Sequence, residues 1–389
     1  MTILIQDSKS LADFCESLAK AEYVTVDTEF MREKTYYPQL CLVQLAGPDA
    51  AAAIDPLALG MDLKPLFALM ANPAVLKVFH AARQDIEIFY FLGNVIPAPL
   101  FDTQVAAMVC GFGDSVGYET LASRLANARI DKSFRFSDWA GRPLSDKQLD
   151  YALADVTHLR IVYEKLAQML EKNGRAHWLT EEMAVLTAAS TYDADPMDSW
   201  RRLKPRTNST KFLAVLREIA AWRELEARKR DLPRNRFLRD EALLEIAARE
   251  PKNADELGKI RALSKGFAEG AMGKQLLDAV KRGTEVPKED RPQLPERVEL
   301  PAGRGPIVEL MKVLLKLRCE ENGVAQKLVA NTGDLEAIAA DDKADVPALQ
   351  GWRREMFGDD ALDLKQGRLA LTADGMTVKI VPVQGLAAQ

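Results

Sequence analysis

The stretch Tyr23-Val-Thr-Val-Asp-Thr-Glu29 decides how this chain is read. Its β-branched, alternating residues have the form of a strand. A strand sends successive side chains to opposite faces, so Val24 and Val26 enter a core while Asp27 and Glu29 leave together from the other face. Two carboxylates side by side on a rigid strand repel each other unless a proton or a metal ion lies between them. The stretch therefore asks for a cation, and further carboxylates are to be sought around it.

Working outward, residues 1–22 read as a short strand and an amphipathic helix with Leu11, Phe14 and Leu18 at helical spacing. Leu40–Ala46 and Ala51–Asp55 read as two more strands turned by Gly47-Pro48, which makes an antiparallel meander. A helix around Asp62–Met70, a strand at Val75–Phe79 and a helix from Ala82 to Leu92 follow. Leu100-Phe-Asp-Thr103 ends a further strand, and from there the chain is mainly helical to about Ser190. Strands, then alternation, then helices predict an α/β domain with a mixed sheet. Asp85 falls one turn into the helix after Phe79, at a strand-to-helix junction where such folds place reactive groups. Tyr151 and Asp155, four apart on a later helix, share one face, while Leu149, Leu153, Val156 and Leu159 offer an apolar one.

In this order, Val26-Asp-Thr-Glu29, His80-Ala-Ala-Arg-Gln-Asp85 and Tyr151-x-x-x-Asp155 resemble the three motifs of the DEDD superfamily of exonucleases, tyrosine branch. Thr28-Glu-Phe-Met-Arg-Glu33, Tyr36-Tyr-Pro-Gln-Leu-Cys-Leu-Val-Gln-Leu45 and Phe101-Asp-Thr-Gln104 are similar to the bacterial ribonuclease D family. The resemblance implies a ribonuclease H-like mixed-sheet exonuclease domain over residues 1–190. Two small all-α HRDC (helicase and RNase D C-terminal) domains would follow, at 207–287 and, more divergent, at 303–389. It implies a 3′→5′ exoribonuclease releasing 5′-mononucleotides from RNA with a single-stranded 3′ end, tRNA precursors above all. Four carboxylates in one pocket can hold two divalent cations roughly 3.5–4 Å apart. Oxygen ligands suit Mg2+ or Mn2+ rather than zinc. By resemblance Asp27 bridges both metals, Glu29, Asp85 and Asp155 complete their shells, and Phe30 and Met31 pack on the terminal base or sugar. Tyr151, with an ordinary pKa of about 10, orients the attacking water and is no general base.

At 389 residues the chain exceeds one ordinary core, and two or three domains are expected. No apolar run of membrane length and no leader pattern is apparent, so the expectation is a cytoplasmic protein without membrane attachment. Cys15, Cys41, Cys110 and Cys319 lack paired spacing and read as reduced thiols, and His80, His158 and His177 as structural. Asp102 reads as a helix cap, and Asp131-Lys-Ser-Phe-Arg-Phe-Ser-Asp138 as a loop before the third motif. Polar residues Tyr192–Ser209 and the proline-bearing stretch Gly283–Pro306 mark domain boundaries. Beyond each lies a long amphipathic helix, and Asp240–Ala247 corresponds to Gly333–Ala339, so one helical module occurs twice. Arg368–Val383 reads as extended, with no assigned role.

Net charge is -5, yet Arg201–Arg239 carries 13 Lys or Arg against 4 acidic residues. That block reads as a phosphate-gripping face, with Arg228, Lys229, Arg230, Arg234 and Arg236 flanking Leu232-Pro233. The second module, acidic around Asp341, Asp342 and Asp345, reads as a scaffold. Nothing implies an obligate protein partner, and a monomer is the default. A DNA exonuclease of the same superfamily and a non-catalytic RNA-binding scaffold are the competing functions, because no motif reads a 2′-hydroxyl.

Overall fold

The computed structural model describes residues 3–134, 137–294, 301 and 303–383. Six strands form its central sheet: β1 (Leu4–Ile5), β2 (Tyr23–Met31), β3 (Gln39–Ala46), β4 (Ala51–Ile54), β5 (Leu76–Phe79) and β6 (Leu100–Asp102). Their spatial order is β1-β4-β3-β2-β5-β6. β2, β3 and β4 form the antiparallel meander that their short turns dictate, while β1/β4, β2/β5 and β5/β6 pair in parallel. The acidic stretch thus lies on a central strand of a mixed sheet. Val24 and Val26 enter the core on one face with Leu11 and Leu18 of helix α1 (Ser8–Leu18), Leu66 of α2 (Lys64–Ala71) and Phe89 of α3 (Arg83–Gly93).

Two further helices, α4 (Thr103–Val109) and α5 (Tyr118–Ala126), lead to α6 (Asp146–Lys172), which covers the sheet's other face. Ser145 and Gln148 close a capping box at its start, satisfying backbone N–H groups that the first turn leaves unpaired. Leu149 and Ala152 pack with Cys41, Leu42 and Trp139. Arg142, just before α6, forks onto both oxygens of buried Asp55 at 2.7 and 2.9 Å and also donates to Cys41 O. Thr25 of β2 donates to Val156 O of α6 at 2.8 Å. Helix and strand are therefore locked in register one residue from Asp155. A shorter helix, α7 (Thr180–Thr187), ends this domain.

The polar stretch read as a boundary holds more structure than its composition indicates. Within it a 3₁₀ segment, Pro196–Leu203, inserts Trp200 (1% exposed) and Leu203 into the next helical core, so that domain begins before residue 207. Its helices are α8 (Thr210–Arg230), α9 (Arg234–Phe237), α10 (Asp240–Arg249), α11 (Ala254–Leu257), α12 (Lys265–Glu269) and α13 (Ala271–Glu285). A Cβ on Gly283 of α13 would lie 2.5 Å from Val215 Cα of α8, so glycine is what allows those helices to touch.

The C-terminal module repeats the pattern with α14 (Gly305–Asn322), α15 (Gln326–Val329) and α16 (Thr332–Ala340). Its elements follow their counterparts at a constant spacing of 92 residues, from Asp231 to Gly323, both left-handed caps, and from Leu238 to Ala330, both extended caps. Buried positions match too: Leu216 and Val308, Ile219 and Met311, Leu243 and Leu335, Ile246 and Ile338. The resemblance fades after α16, where a 3₁₀ turn (Pro347–Leu349) and a continuous helical run over 351–365, with a π segment at Arg354–Gly358, stand in place of α13. The extended tail is an antiparallel hairpin of β7 (Leu369–Asp374) and β8 (Thr377–Pro382). Residues 295–300 and 302 of the proline-bearing stretch and the last six residues of the second module lie outside the described residues.

Both modules dock on the nuclease domain through the turn after their long helix. In the first, Asp231 accepts from Tyr36 N and Tyr37 N, each at 2.9 Å. In the second, Ala325 N donates to Met108 O at 2.9 Å, and Trp352 stacks on Trp178 at 4.1 Å. Buried Arg353 reaches Glu182 at 2.6 Å and also pairs with Glu181. One continuous apolar core runs from Ala107, Val162 and Leu166 of the nuclease domain into Met311, Leu314 and Ile338 of the second module. The first module keeps a separate core.

Candidate active site

Asp27 and Glu29 leave the α6 side of β2, and Asp155 descends onto them from α6. Carboxylate oxygens of these three residues lie within 4.8 Å of one another. Asp27 faces Gln44 across the β2/β3 pair, and the ladder slips by one residue between Glu29 and Phe30. Such a bulge bends a strand and re-aims the side chain beside it. The three carboxylates open into a cavity of about 510 Å³ whose wall includes Thr28, His80, Tyr118, Ile130 and Tyr151.

Asp85 stands beside this group rather than within it. It is buried in the first turn of α3, and its Oδ1 accepts from the Thr28 hydroxyl at 2.5 Å. The junction ahead of it is held by Asp102, whose carboxylate accepts from Ala81 N (3.0 Å) and Ala82 N (2.8 Å) and from Gln104 N at the start of α4. Asp102 is thus a cap and a brace. Ala81 sits at φ +58°, a left-handed conformation that these bonds help to hold.

Burial governs the charge state of the group. It raises Asp27 well above the usual carboxylate range, and the neighbouring Asp155 raises it further. Burial, followed by Asp27, Asp155 and Asp85, lifts Glu29 to about 9. Asp155 rises to about 7 through burial, against a lowering hydrogen bond from the Tyr151 hydroxyl. Asp85 is raised by burial and then by Asp27. Among the described residues no Lys or Arg lines the cavity, which leaves room for a cation from solution. A hard, oxygen-seeking divalent ion fits this donor set.

Several expected contacts lie elsewhere. Phe30 and Met31 are half-buried against apolar cores, and neither lines the cavity. His80, expected to be structural, does line it, with Nδ1 3.0 Å from Thr103 Oγ1. Tyr118 donates to Asp155 O and fixes the α6 turn that carries the carboxylate. Gln44 is wholly buried with its amide unpartnered, opposite Asp27. Neither Gln44, one of two glutamines in β3, nor Tyr118 carried a sequence signal that singled it out. In the loop before the third motif, Phe134 packs 6.3 Å from the Tyr151 ring, and Arg135 and Phe136 lie outside the described residues.

The basic block is largely spent inside the molecule. Arg234 donates to both oxygens of Glu224 at 2.5 and 2.6 Å and to the Tyr36 hydroxyl at 2.7 Å. Arg228 joins the same cluster and donates to Ala194 O at 2.8 Å. Arg230 pairs with Glu226, and Arg201, Lys211, Arg217 and Arg223 also have acidic partners. Among the described residues Arg202, Lys204, Arg206, Lys229, Arg236 and Arg239 remain without one. In the second module Glu320 and Glu321 stand where the first has Arg228 and Lys229, which removes a basic face there.

A mixed sheet carrying an acidic cluster under a helix, with a helical module behind it, defines a 3′→5′ exonuclease with an HRDC domain. The 3′-5′ exonuclease family profile matches residues 2–171, and the HRDC domain profile matches 212–280. The chain belongs to the ribonuclease D family. It is 53% identical over 379 residues to ribonuclease D of Granulibacter bethesdensis (97% of this chain, 96% of the relative). It is 51% identical over 380 residues to that of Gluconacetobacter diazotrophicus (98% and 97%). The crystal structure of Escherichia coli RNase D, described as an exoribonuclease involved in structured RNA processing, superposes with a TM-score of 0.80 at 30% identity (94% of this chain, 99% of that one). The expected fold class and nuclease function stand, while the profiles identify one HRDC domain and the second copy rests on its repeated element order.

Proposed function

We propose that this chain trims RNA from its 3′ end one nucleotide at a time, with Asp27, Glu29, Asp85 and Asp155 holding two divalent ions, Mg2+ or Mn2+. The observation that carries this reading is the meeting of three half-buried carboxylates within 4.8 Å, with no cationic side chain among the described residues lining their cavity. Bound divalent ions supply a water of lowered pKa and compensate charge on the departing 3′ oxygen. The protein's own residues do the positioning. β2 presents Asp27 and Glu29 on a rigid element, and Thr28 restrains Asp85. The Tyr151 hydroxyl, bonded to Asp155, orients the attacking water. His80 and Tyr118 wall the cavity where the terminal nucleotide would sit. A monomer is the default, and tRNA precursors are the substrates that the family resemblance favours.

The test is hydrolysis of a tRNA precursor, and of single-stranded RNA and DNA of matched sequence, with Mg2+ or Mn2+. Stepwise shortening of the RNAs from the 3′ end with release of 5′-mononucleotides is expected. DNA degraded equally fast would make the chain a general exonuclease. Absence of turnover with either ion would leave a binding scaffold.

A further inference from the structure

Where the nuclease domain meets the first helical module, five arginines, Arg32, Arg83, Arg202, Arg228 and Arg234, line a separate cavity of about 180 Å³. They come from four places: the end of β2, the first turn of α3, the 3₁₀ segment before α8, and the α8–α9 corner. Glu87 answers Arg32 at 2.6 Å, and Glu224 answers Arg228 and Arg234. Arg228 also has Asp193 at 3.8 Å. Arg83 and Arg202 have no acidic partner among the described residues, although both line the cavity. The excess of guanidinium over carboxylate is therefore concentrated at this cavity, with Arg83 and Arg202 exposed and Arg32, Arg228 and Arg234 half-buried. Planar guanidinium forks match phosphate oxygens, and they bind best where water is partly excluded.

The cavity shares two elements with the acidic site. Arg32 lies three residues beyond Glu29, roughly 10 Å at the rise of a strand, and Arg83 precedes Asp85 by two residues. An RNA whose 3′ end lies over the carboxylates would have to place backbone close by. We infer that this junction cavity binds an internucleotide phosphate of the substrate RNA, a few nucleotides upstream of the bond being cut, and so measures single-stranded length ahead of the active site. The inference rests on the proposed function above. Its closed frame is the Tyr36–Glu224–Arg228–Arg234 cluster, and its free donors are Arg83 and Arg202. Because Arg202 belongs to the helical module and Arg83 to the nuclease domain, bound phosphate would bridge the two.

Arg202→Ala tests this outside the nuclease elements, with Arg83→Gln as the second variant. Affinity for a single-stranded RNA would be measured across a salt series in Ca2+ or EDTA, and hydrolysis of that RNA and of a dinucleotide in Mg2+ or Mn2+. Each variant should bind the longer RNA about ten- to a hundredfold more weakly, the loss expected for one charge-assisted contact. Its salt slope should be shallower by about 0.7 for each phosphate contact removed. The dinucleotide, too short to reach the cavity, should be cut by Arg202→Ala at the wild-type rate. An unchanged slope and affinity in both variants overturns the inference, as does equal loss on the dinucleotide and the longer RNA. Competition by a free 5′-mononucleotide that Arg202→Ala abolishes would assign the cavity to released product and overturn it as well. Wild-type turnover of the dinucleotide separately reports on the nuclease reading.

Discussion

At the scale of single residues, the chemistry depends on carboxylates that fold into a place where they resist ionising. Folded Glu29 and Asp155 keep protons up to about pH 9 and about pH 7, whereas in the unfolded chain they release them near pH 4. Between about pH 4 and 9 the native state therefore binds more protons, and the metal-free protein loses stability as pH rises. Thermal midpoints in EDTA from pH 5 to 9 should fall, and saturating Mg2+ or Mn2+ should flatten the profile. A flat profile in EDTA would contradict the shifts. Asp27→Ala and Asp155→Ala should each abolish hydrolysis while leaving metal-independent RNA binding intact, and more than trace turnover by either would exclude these metal ligands. Tyr151→Phe should cut the rate about a hundredfold with metal affinity kept, as for loss of one orienting hydrogen bond. An equal rate would remove the phenol from the mechanism. These residues were legible because spacing alone places Asp27 with Glu29 on a strand face and Tyr151 with Asp155 on a helix face. Gln44, Tyr118 and His80 were not, since only the meeting of β3, the β5–α3 junction, α5 and α6 brings them together.

At the scale of elements, the docking corner after α8 is the feature that composition misread. A run of cations looks like a surface for phosphate, but Glu224, 2% exposed, draws Arg228 and Arg234 inward around the Tyr36 hydroxyl. Burial acts to raise Glu224, and the hydrogen bonds from Arg234 and Tyr36 outweigh it and bring the group down to about 2. A depressed carboxyl contributes stability that is complete above its unfolded value of about 4.3 and is lost as pH falls toward 2. Glu224→Gln leaves two guanidinium groups around an uncharged amide and should weaken docking by about 3 kcal/mol. Limited proteolysis across residues 191–209 would report it as faster cleavage, with the acid dependence between pH 4 and 2 reduced. Cleavage at the wild-type rate would show that the cluster does not hold the corner. No single-sequence pattern could have separated Arg228 from Lys229, because their difference lies in the α8 face that meets Tyr36.

At the scale of the whole molecule, one nuclease domain carries two copies of a helical module by equivalent corners, with unequal results. The second copy shares its core with α4 and α6, whereas the first joins through a polar cluster and keeps its own core. The repeat itself was legible in the apolar spacing, but the fusion of one copy was not, because Met311 and Leu314 look like any amphipathic face until α6 is placed beside them. Calorimetry should accordingly resolve two transitions, the first module alone and the nuclease domain together with the second. Three independent transitions would contradict the shared core. The central claim is that Asp27, Glu29, Asp85 and Asp155 act as one cage for a pair of divalent ions. Crystals soaked in Mn2+ and measured for anomalous scattering test it most directly. Two peaks roughly 3.5–4 Å apart, with Asp27 touching both, are the predicted result, and crystals that bind Mn2+ only elsewhere would contradict it.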